Sequence, residues 1–483
     1  MTVEEVYMAI LASLTLGIFI PLVGNRLLDS SAGRLSILAP SLAALALSIA
    51  VLARCFDEAV SLWNGRLVVD GFASLLLTVL LFVGASLMAG SLFFAKSLPA
   101  PYSYFSITYI TVLSAALLVS VSSVSVFFAS WILLSVASYV IAGLEKNRAA
   151  ADAALKYAIL GGISTVFLIL WIGTASYFGG DVLLGRASST SSTAALLGIG
   201  GILLMIAVGF KVGVFPFHWW LPDVYTQVNG TLVSVLTGVV KIAAFAAFIR
   251  ILTYSVADIG SPETLIIVVA LLSALTMTFG NIAALTTRNI QRILAFSSIA
   301  HVGYLLLGVV ALLSALSMGQ GDRALASYAI AAMTVHLLAY ALSKPGTFLF
   351  AGSMRTVLLE DVRGAYKRDG LASIAAAILL LSLLGVPPTA GFWGKLYLFQ
   401  AALPVSPELV LLAIINSGIS SFYYIRIVRE MFSEPEKAEA SASESAGAAA
   451  EARASLVVFS VLTVVLGLGI LSAIVVSMTF YMP

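Results

Sequence analysis

Long apolar stretches separated by short polar connections run along the whole chain. Many of these stretches reach about twenty residues, which is enough for a helix to cross a hydrocarbon core of about 30 Å. The pattern predicts fourteen membrane-spanning helices. They lie at about residues 6–26, 33–54, 71–95, 104–122, 124–144, 153–178, 193–216, 230–253, 262–284, 292–316, 325–352, 370–401, 408–430 and 454–481.

Composition leads to the same fold class, an all-α polytopic membrane protein of the cell membrane. Hydrophobic residues make up 61% of the chain and charged residues 10%, and the mean hydropathy is +1.08, far above the range of soluble domains. The net charge of +2 gives no sign of a nucleic-acid partner. The single cysteine, Cys55, excludes an internal disulfide and a cysteine-based metal or iron–sulfur site held by this chain alone.

The distribution of basic residues predicts the orientation of the chain. Of 25 basic residues, 16 fall in loops that follow odd-numbered helices and five, Arg250 among them, fall on the opposite side. Because basic residues concentrate in cytoplasmic loops, both termini are expected on the non-cytoplasmic side. Glu4 and Glu5 occupy the place where a cleavable signal would carry basic residues, so the first apolar run is expected to be a retained span.

Four basic residues remain within the membrane: Lys211, Lys241, Lys344 and Lys395. Each costs about 2.5–3.5 kcal/mol at a helix centre on insertion scales, so they are candidates for an ion pathway. His301 lies nine residues past Arg292, which places it about 13 Å deep at 1.5 Å per residue. The two candidate histidines, His301 and His336, are as compatible with packing as with proton relay.

Two of the lysines stand beside predicted helix breaks. Lys211 precedes Pro216, and Lys395 follows Pro387 and Pro388 in the twelfth helix. The two breaks share a Gly-Val-x-Pro sequence, at 213–216 and 385–388. Since paired broken helices are typical of transporters built from two repeats, we predict two inverted five-helix repeats, each with a broken helix.

The predicted repeats set the domain organisation. A three-helix segment at 1–100 precedes the first repeat at 101–255 and the second at 256–432. Residues 433–453, rich in Ala, Ser and Glu, are expected to form a solvated linker. A C-terminal transmembrane helix follows at 454–483. Within the eleventh helix, Pro345 predicts a local break beside Lys344, and His336, Tyr340 and Lys344 share one helix face.

Several of these motifs resemble a known family. They are Phe210-Lys211, Phe215-Pro216-Phe217-His218-Trp219-Trp220-Leu221-Pro222-Asp223, Lys241, the run from Arg292 to Tyr304, the run from His336 to Gly352, and the run from Pro387 to Lys395. Together they resemble the antiporter-like subunits of respiratory complex I, of multisubunit cation/proton antiporters and of membrane-bound hydrogenases. The resemblance covers about residues 70–430. Lysine rather than glutamate at 395 is more similar to the N type, or to the D-type antiporter subunit, than to the M type.

The resemblance implies a proton relay and a place in a larger complex. Lys211 would serve the input half-channel, Lys241 the connection, and Lys395 the output, with His301, His336 and Lys344 along the axis. The chain would bind no cofactor and have no active site of its own. Its partners would be other membrane subunits of a redox-driven pump, the lipid bilayer and protons, or alternatively sodium ions. Two other functions stay open: a subunit of a sodium/proton antiporter, and a structural subunit that has lost part of the pathway.

One position departs from the family pattern. The family carries a glutamate after a tryptophan in the fifth helix, as the ion-pair partner of the first lysine, whereas Trp131 is followed by Ile132 here. No acidic residue occurs between Asp70 and Glu145, and Glu145 is expected to be a solvated loop charge. The sequence therefore leaves open whether the first half-channel works.

Overall fold

A computed structural model of the chain describes residues 2–23, 27–92, 95, 98, 100–179, 191–256, 263–318, 322–353, 358–434 and 446–470. This described part is almost entirely helical. Its α-helices are α1 (Val3–Val23), α2 (Ser31–Cys55), α3 (Gly71–Leu92), α4 (Pro101–Val119), α5 (Val124–Gly143), α6 (Arg148–Gly179), α7 (Ser191–Val212), α8 (Trp220–Gln227), α9 (Gly230–Val235), α10 (Lys241–Val256), α11 (Glu263–Leu285), α12 (Ile290–Ser317), α13 (Arg323–Ser353), α14 (Ala365–Arg368), α15 (Gly370–Leu384), α16 (Ala390–Ala402), α17 (Pro407–Phe432) and α18 (Ala446–Val465).

The membrane fold class is confirmed. Within the described ranges, eleven helical segments are long and apolar enough to cross a membrane. Three shorter apolar segments, Ile199–Val212, Gly370–Leu384 and Arg453–Leu468, coincide with the predicted seventh, twelfth and fourteenth helices. Every predicted span thus overlaps a helix, while the count of fourteen spans and the inverted repeat stay predictions.

The helices that carry the membrane lysines lie at the centre of the bundle. The segment Gly230–Thr253, which contains Lys241, is buried almost throughout, and so is the helix α12. In contrast, much of the surface of α2, α6 and α17 is exposed on the outside of the bundle. The outer face of α6 exposes Ile163, Val166 and Ile169. An apolar outer face of this kind suits contact with lipid tails or a neighbouring subunit.

Both predicted breaks are present and are built alike. The helix α7 ends at Val212, and Gly213 follows at φ +87°. The helix α15 ends at Leu384, and Gly385 follows at φ +93°. This left-handed region is open to glycine without a Cβ penalty. After each glycine, the next residue also donates its N–H to the helix end, from Val214 to Gly209 at 2.7 Å and from Val386 to Leu381 at 3.0 Å.

The predicted break beside Lys344 is wrong. The helix α13 continues through Pro345 from Arg323 to Ser353. Proline removes only one backbone donor, and the surrounding structure accommodates its ring. Gly238, in a single π-helical turn at Leu236–Val240, faces this ring, and a Cβ at Gly238 would lie 2.5 Å from Pro345 Cγ. The wide turn before Lys241 therefore packs against the proline that follows Lys344.

Two charged residues were placed incorrectly by the sequence. Arg250 was expected outside the membrane, on the side opposite the basic loops, but it lies buried in α10, and its side chain and that of Asp70 are both 0% exposed. Their charged groups approach to 2.7 Å, so the arginine is compensated inside the protein. Glu145 was expected to be solvated, but it is half-buried and accepts the backbone N–H of Asn229 at 3.2 Å, next to the start of α9.

Two further elements differ from the prediction. A short antiparallel hairpin, β1 (Val60–Leu62) and β2 (Leu67–Val69), pairs Val60 with Val69 and lies between α2 and α3. The predicted linker at 433–453 is shorter on its C-terminal side, because α18 begins at Ala446. Residues 435–445 and the C-terminal end of the predicted last helix, 471–483, lie outside the described residues.

Candidate ion pathway

The four membrane lysines are all buried, with at most 4% of each residue exposed. Lys211 lies in the last turn of α7, just before the first break. Its Nζ donates to Ser138 Oγ of α5 at 2.9 Å. The same nitrogen lies 4.9 Å from the centre of the Tyr139 ring and 5.3 Å from that of Tyr157. The first lysine is therefore held by a hydroxyl and two aromatic rings.

Two neighbouring serines of α12 receive the next two lysines. Lys241, the first residue of α10, donates to Ser298 Oγ at 3.2 Å. Lys344 of α13 donates to Ser297 Oγ. Ser298 Oγ also forms a hydrogen bond with the Tyr340 hydroxyl, one turn before Lys344 on α13. Lysines from two different helices thus meet on one turn of α12.

The two candidate histidines form a pair one turn further along α12. His301 Nδ1 lies 3.2 Å from His336 Nε2, so one ring donates to the other. His301 Nε2 lies 3.3 Å from the hydroxyl of Tyr424 on α17. Because each nitrogen of His301 has a partner, its ring links α13 to α17. A neutral histidine ring has one donor and one acceptor nitrogen, so this pair is chemically able to pass a proton from one ring to the other.

Lys395 lies in α16, just after the second break. Its Nζ donates to the Leu384 carbonyl at 2.8 Å and to Ser417 Oγ at 3.0 Å. The Leu384 carbonyl is free to accept because α15 ends there. Lys395 Nζ also lies 5.0 Å from the centre of the Tyr304 ring. The break thus supplies a carbonyl partner for the lysine that follows it.

These groups are arranged along one face of α12. His301 follows Ser297 by four residues and Ser298 by three, and Tyr304 follows His301 by three, which keeps these side chains on one side of the helix. From the serines to Tyr304 the helix rises about 10 Å at 1.5 Å per residue. We call this set the α12 polar line. It brings together five of the six predicted pathway residues, namely Lys241, Lys344, His301, His336 and Lys395.

Lys211 is separate from that line. Its hydrogen bond leads to Ser138 and on to the Tyr157 hydroxyl, 3.0 Å from Ser138 Oγ. The hydrogen bonds of Lys241 lead to α12 instead. In the described part of the chain the two groups share no hydrogen-bonded residue, so a proton would need water to pass between them.

A cavity of about 400 Å³ adjoins the first break. Its lining includes His218, Trp219, Asp223, Lys156 and Arg292. Lys156 and Asp223 form an ion pair of 3.1 Å near the mouth, where Trp219 is 68% exposed. His218 is buried between Phe215 and Phe279. The cavity brings polar groups to the segment that follows Lys211.

Several site residues were missed by sequence reasoning. Ser297 and Ser298 stood inside a recognised motif, but a serine in an apolar helix carries no signal of its own. Tyr424 comes from α17, 123 residues beyond its partner His301. A search for polar side chains spaced three and four residues apart on α12 would have found the serines, His301 and Tyr304, whereas Tyr424 required the packing of the helices.

The chain is similar to known membrane proteins over most of its length. Residues 121–420 match the family described as NADH:quinone oxidoreductase/Mrp antiporter, TM. NADH-quinone oxidoreductase subunit N of Bacillus anthracis is 32% identical over 431 residues, which cover 83% of this chain and 81% of that protein. A chain of respiratory complex I from Thermus thermophilus with bound aureothin is similar, with a TM-score of 0.77 and 27% identity over 98% of this chain and 99% of that one. A chain of the Mrp complex from Dietzia sp. DQ12-45-1b reaches a TM-score of 0.82 at 20% identity, covering 99% and 96%, and is alike in fold.

Proposed function

The chain belongs to the NADH:quinone oxidoreductase/Mrp antiporter transmembrane family and is an antiporter-type membrane subunit of the complex I kind, and from this we propose that it moves protons along the α12 polar line. Lys241 and Lys344 would transfer protons to the serines of α12. The histidine pair would pass the proton on, and Lys395 would release it on the output side. The coupled ion of this proposal is the proton, with sodium as the alternative.

The observation that supports the proposal is the alignment of hydrogen-bonding groups on one face of α12. Each serine hydroxyl both donates and accepts, and so does a neutral histidine ring. Proton transfer needs donor and acceptor within about 2.6–3.2 Å or one water apart. The contacts of Lys241 with Ser298 and of His301 with His336, both at 3.2 Å, meet this condition. A charged group at this depth costs free energy, so the presence of four buried lysines indicates a functional role for them.

The energy for transport would come from other chains. We propose that this subunit holds no flavin, iron–sulfur cluster or nicotinamide, and that redox chemistry takes place in partner subunits. A conformational or electrostatic change at a neighbouring membrane subunit would then alter the charge state of the lysines. Both termini are proposed to lie on the non-cytoplasmic side, as the basic residues predict.

Replacement of Lys395 tests the proposal. Lys395→Ala in the assembled complex should sharply lower the number of protons translocated per electron, while the content of assembled complex stays normal. Lys367→Ala is the matched control, because that lysine lies outside the spans with 59% of its side chain exposed. Unchanged proton translocation in Lys395→Ala, at normal complex content, would exclude the relay role.

The proteins that copurify in mild detergent distinguish the two kinds of complex. Quinone-site or hydrogenase-like subunits are expected for the redox-driven pump. Small antiporter subunits without redox partners would favour the Mrp-type alternative, whose fold the chain shares. Dependence of transport on sodium at fixed pH would show which ion is coupled.

A further inference from the structure

The surroundings of Lys211 lack an ion-pair partner among the residues that the structure describes. The residue is 2% exposed, and its nearest polar group is the hydroxyl of Ser138 at 2.9 Å. Ile132, where a carboxylate would be expected, is only half-buried. Removing an ammonium from water is costly unless other groups replace its hydration. The protein must therefore stabilise this lysine by other means.

Two aromatic rings supply part of that stabilisation. Lys211 Nζ lies within 6 Å of the ring centres of both Tyr139 and Tyr157, the range in which a ring face attracts a cation. The two rings meet edge to face, with centres 4.6 Å apart. Since such attraction strengthens when water is excluded, the buried position favours it.

The hydrogen bonds of Ser138 define the third group. Its hydroxyl donates its only hydrogen to the Ser135 carbonyl at 2.7 Å. The oxygen is then an acceptor for Lys211 Nζ, and Tyr157 must be the donor in the 3.0 Å contact between the two hydroxyls. An oxygen with two lone pairs satisfies both donors. If Lys211 loses its proton, rotation of the hydroxyl lets Ser138 donate to the free lone pair on Nζ.

We infer that Ser138, Tyr139 and Tyr157, here called the Lys211 cage, replace an ion-pair partner and let Lys211 both hold and release a proton. A proton passes from Nζ to a water molecule, leaving a neutral amine and a hydronium ion, and a later hydronium ion returns a proton to the amine and restores the ammonium. A serine hydroxyl serves both forms, because its oxygen accepts a hydrogen bond from the ammonium and its O–H can donate one to the neutral amine. This inference rests on the proposed proton transport and adds the groups that act at its first lysine.

The cage is coupled to the segment that follows the first break. The ring of Tyr157 stacks on Trp220 of α8, with centres 3.9 Å apart and an angle of 10°. Trp220 Nε1 donates to the Phe210 carbonyl at 2.9 Å, next to Lys211 in sequence. Trp220 also lines the cavity beside the break. Movement of α8 would therefore shift Tyr157 and change the surroundings of Lys211.

The test measures protons translocated per electron in the assembled complex. The double variant Ser138→Ala, Tyr139→Leu should lose as much translocation as Lys211→Met. Ser138→Thr keeps the hydroxyl and should retain the wild-type ratio. Ser164→Ala is the matched control, because among the described residues that buried serine donates only to the Gly161 carbonyl of its own helix. Adding Ser138→Asp to Tyr139→Leu puts a carboxylate beside Nζ and should restore translocation, which a purely structural role would not.

Complex content is measured for every variant, and Lys395→Ala is run in parallel. If Lys395→Ala lowers translocation but the assembled cage variants do not, the cage inference alone is wrong. A normal ratio in Lys211→Met would also overturn it, because the lysine would then have no role to support. If Lys395→Ala has no effect, the proposed transport itself fails and the cage inference fails with it.

Discussion

The buried pair between Asp70 and Arg250 gives the sharpest stability prediction. Arg250 donates to Asp70 Oδ1 at 2.7 Å, and both side chains are fully buried. The same carboxylate caps α3, because Oδ1 accepts the Ala73 N–H at 2.8 Å. The pair thus joins α10 to the start of α3. Asp70→Asn keeps an oxygen for the cap but removes the negative charge.

The expected cost follows from these two roles. Removing one partner of a buried ion pair leaves an uncompensated charge and costs about 3–5 kcal/mol. Asp70→Ala also removes the cap and should cost about 1 kcal/mol more. Asp223→Asn is the matched control, since its ion pair with Lys156 is largely exposed and should contribute less than about 1 kcal/mol.

Denaturant titration in mixed detergent micelles, followed by tryptophan fluorescence, measures these differences. The variant Asp70→Asn, Arg250→Met should be more stable than Asp70→Asn, because it also removes the buried positive charge that the Asp70 carboxylate had balanced. The reasoning is refuted if Asp70→Asn lies within about 1 kcal/mol of wild type. It is also refuted if the second substitution lowers the stability further.

Two functional predictions concern the α12 polar line. Lys241→Ala should lower proton translocation per electron as Lys395→Ala does, and Lys241→Arg should rescue it poorly, because arginine holds a charge but does not release its proton. Full coupled flux with arginine would make Lys241 a fixed countercharge. The double variant His336→Ala, Lys344→Ala should also lower translocation in an intact complex, since it removes one histidine of the pair and the lysine on Ser297. Normal flux in that variant would remove both residues from the pathway.

The spans and the helix breaks could be predicted from the sequence because their causes are local. A run of apolar residues long enough to cross a bilayer is visible in the sequence itself. Proline lacks a backbone N–H donor, and glycine adopts a positive φ without strain. The helix breaks at Gly213 and Gly385 could therefore be predicted from the sequence as well. The lysines stood out because a charge in such a run is costly wherever the helix packs.

The pairing of polar groups was decided by the tertiary structure. Asp70 and Arg250 are separated by 180 residues, and nothing near either residue indicates the other. Pro345 did not break its helix because Gly238, from another helix, leaves room for its ring. When a helix is apolar on every side, its sequence does not show which side faces the neighbouring helices. Which serine faces which lysine therefore depends on how the helices pack together, and the sequence alone determined only the helices and the charges within them.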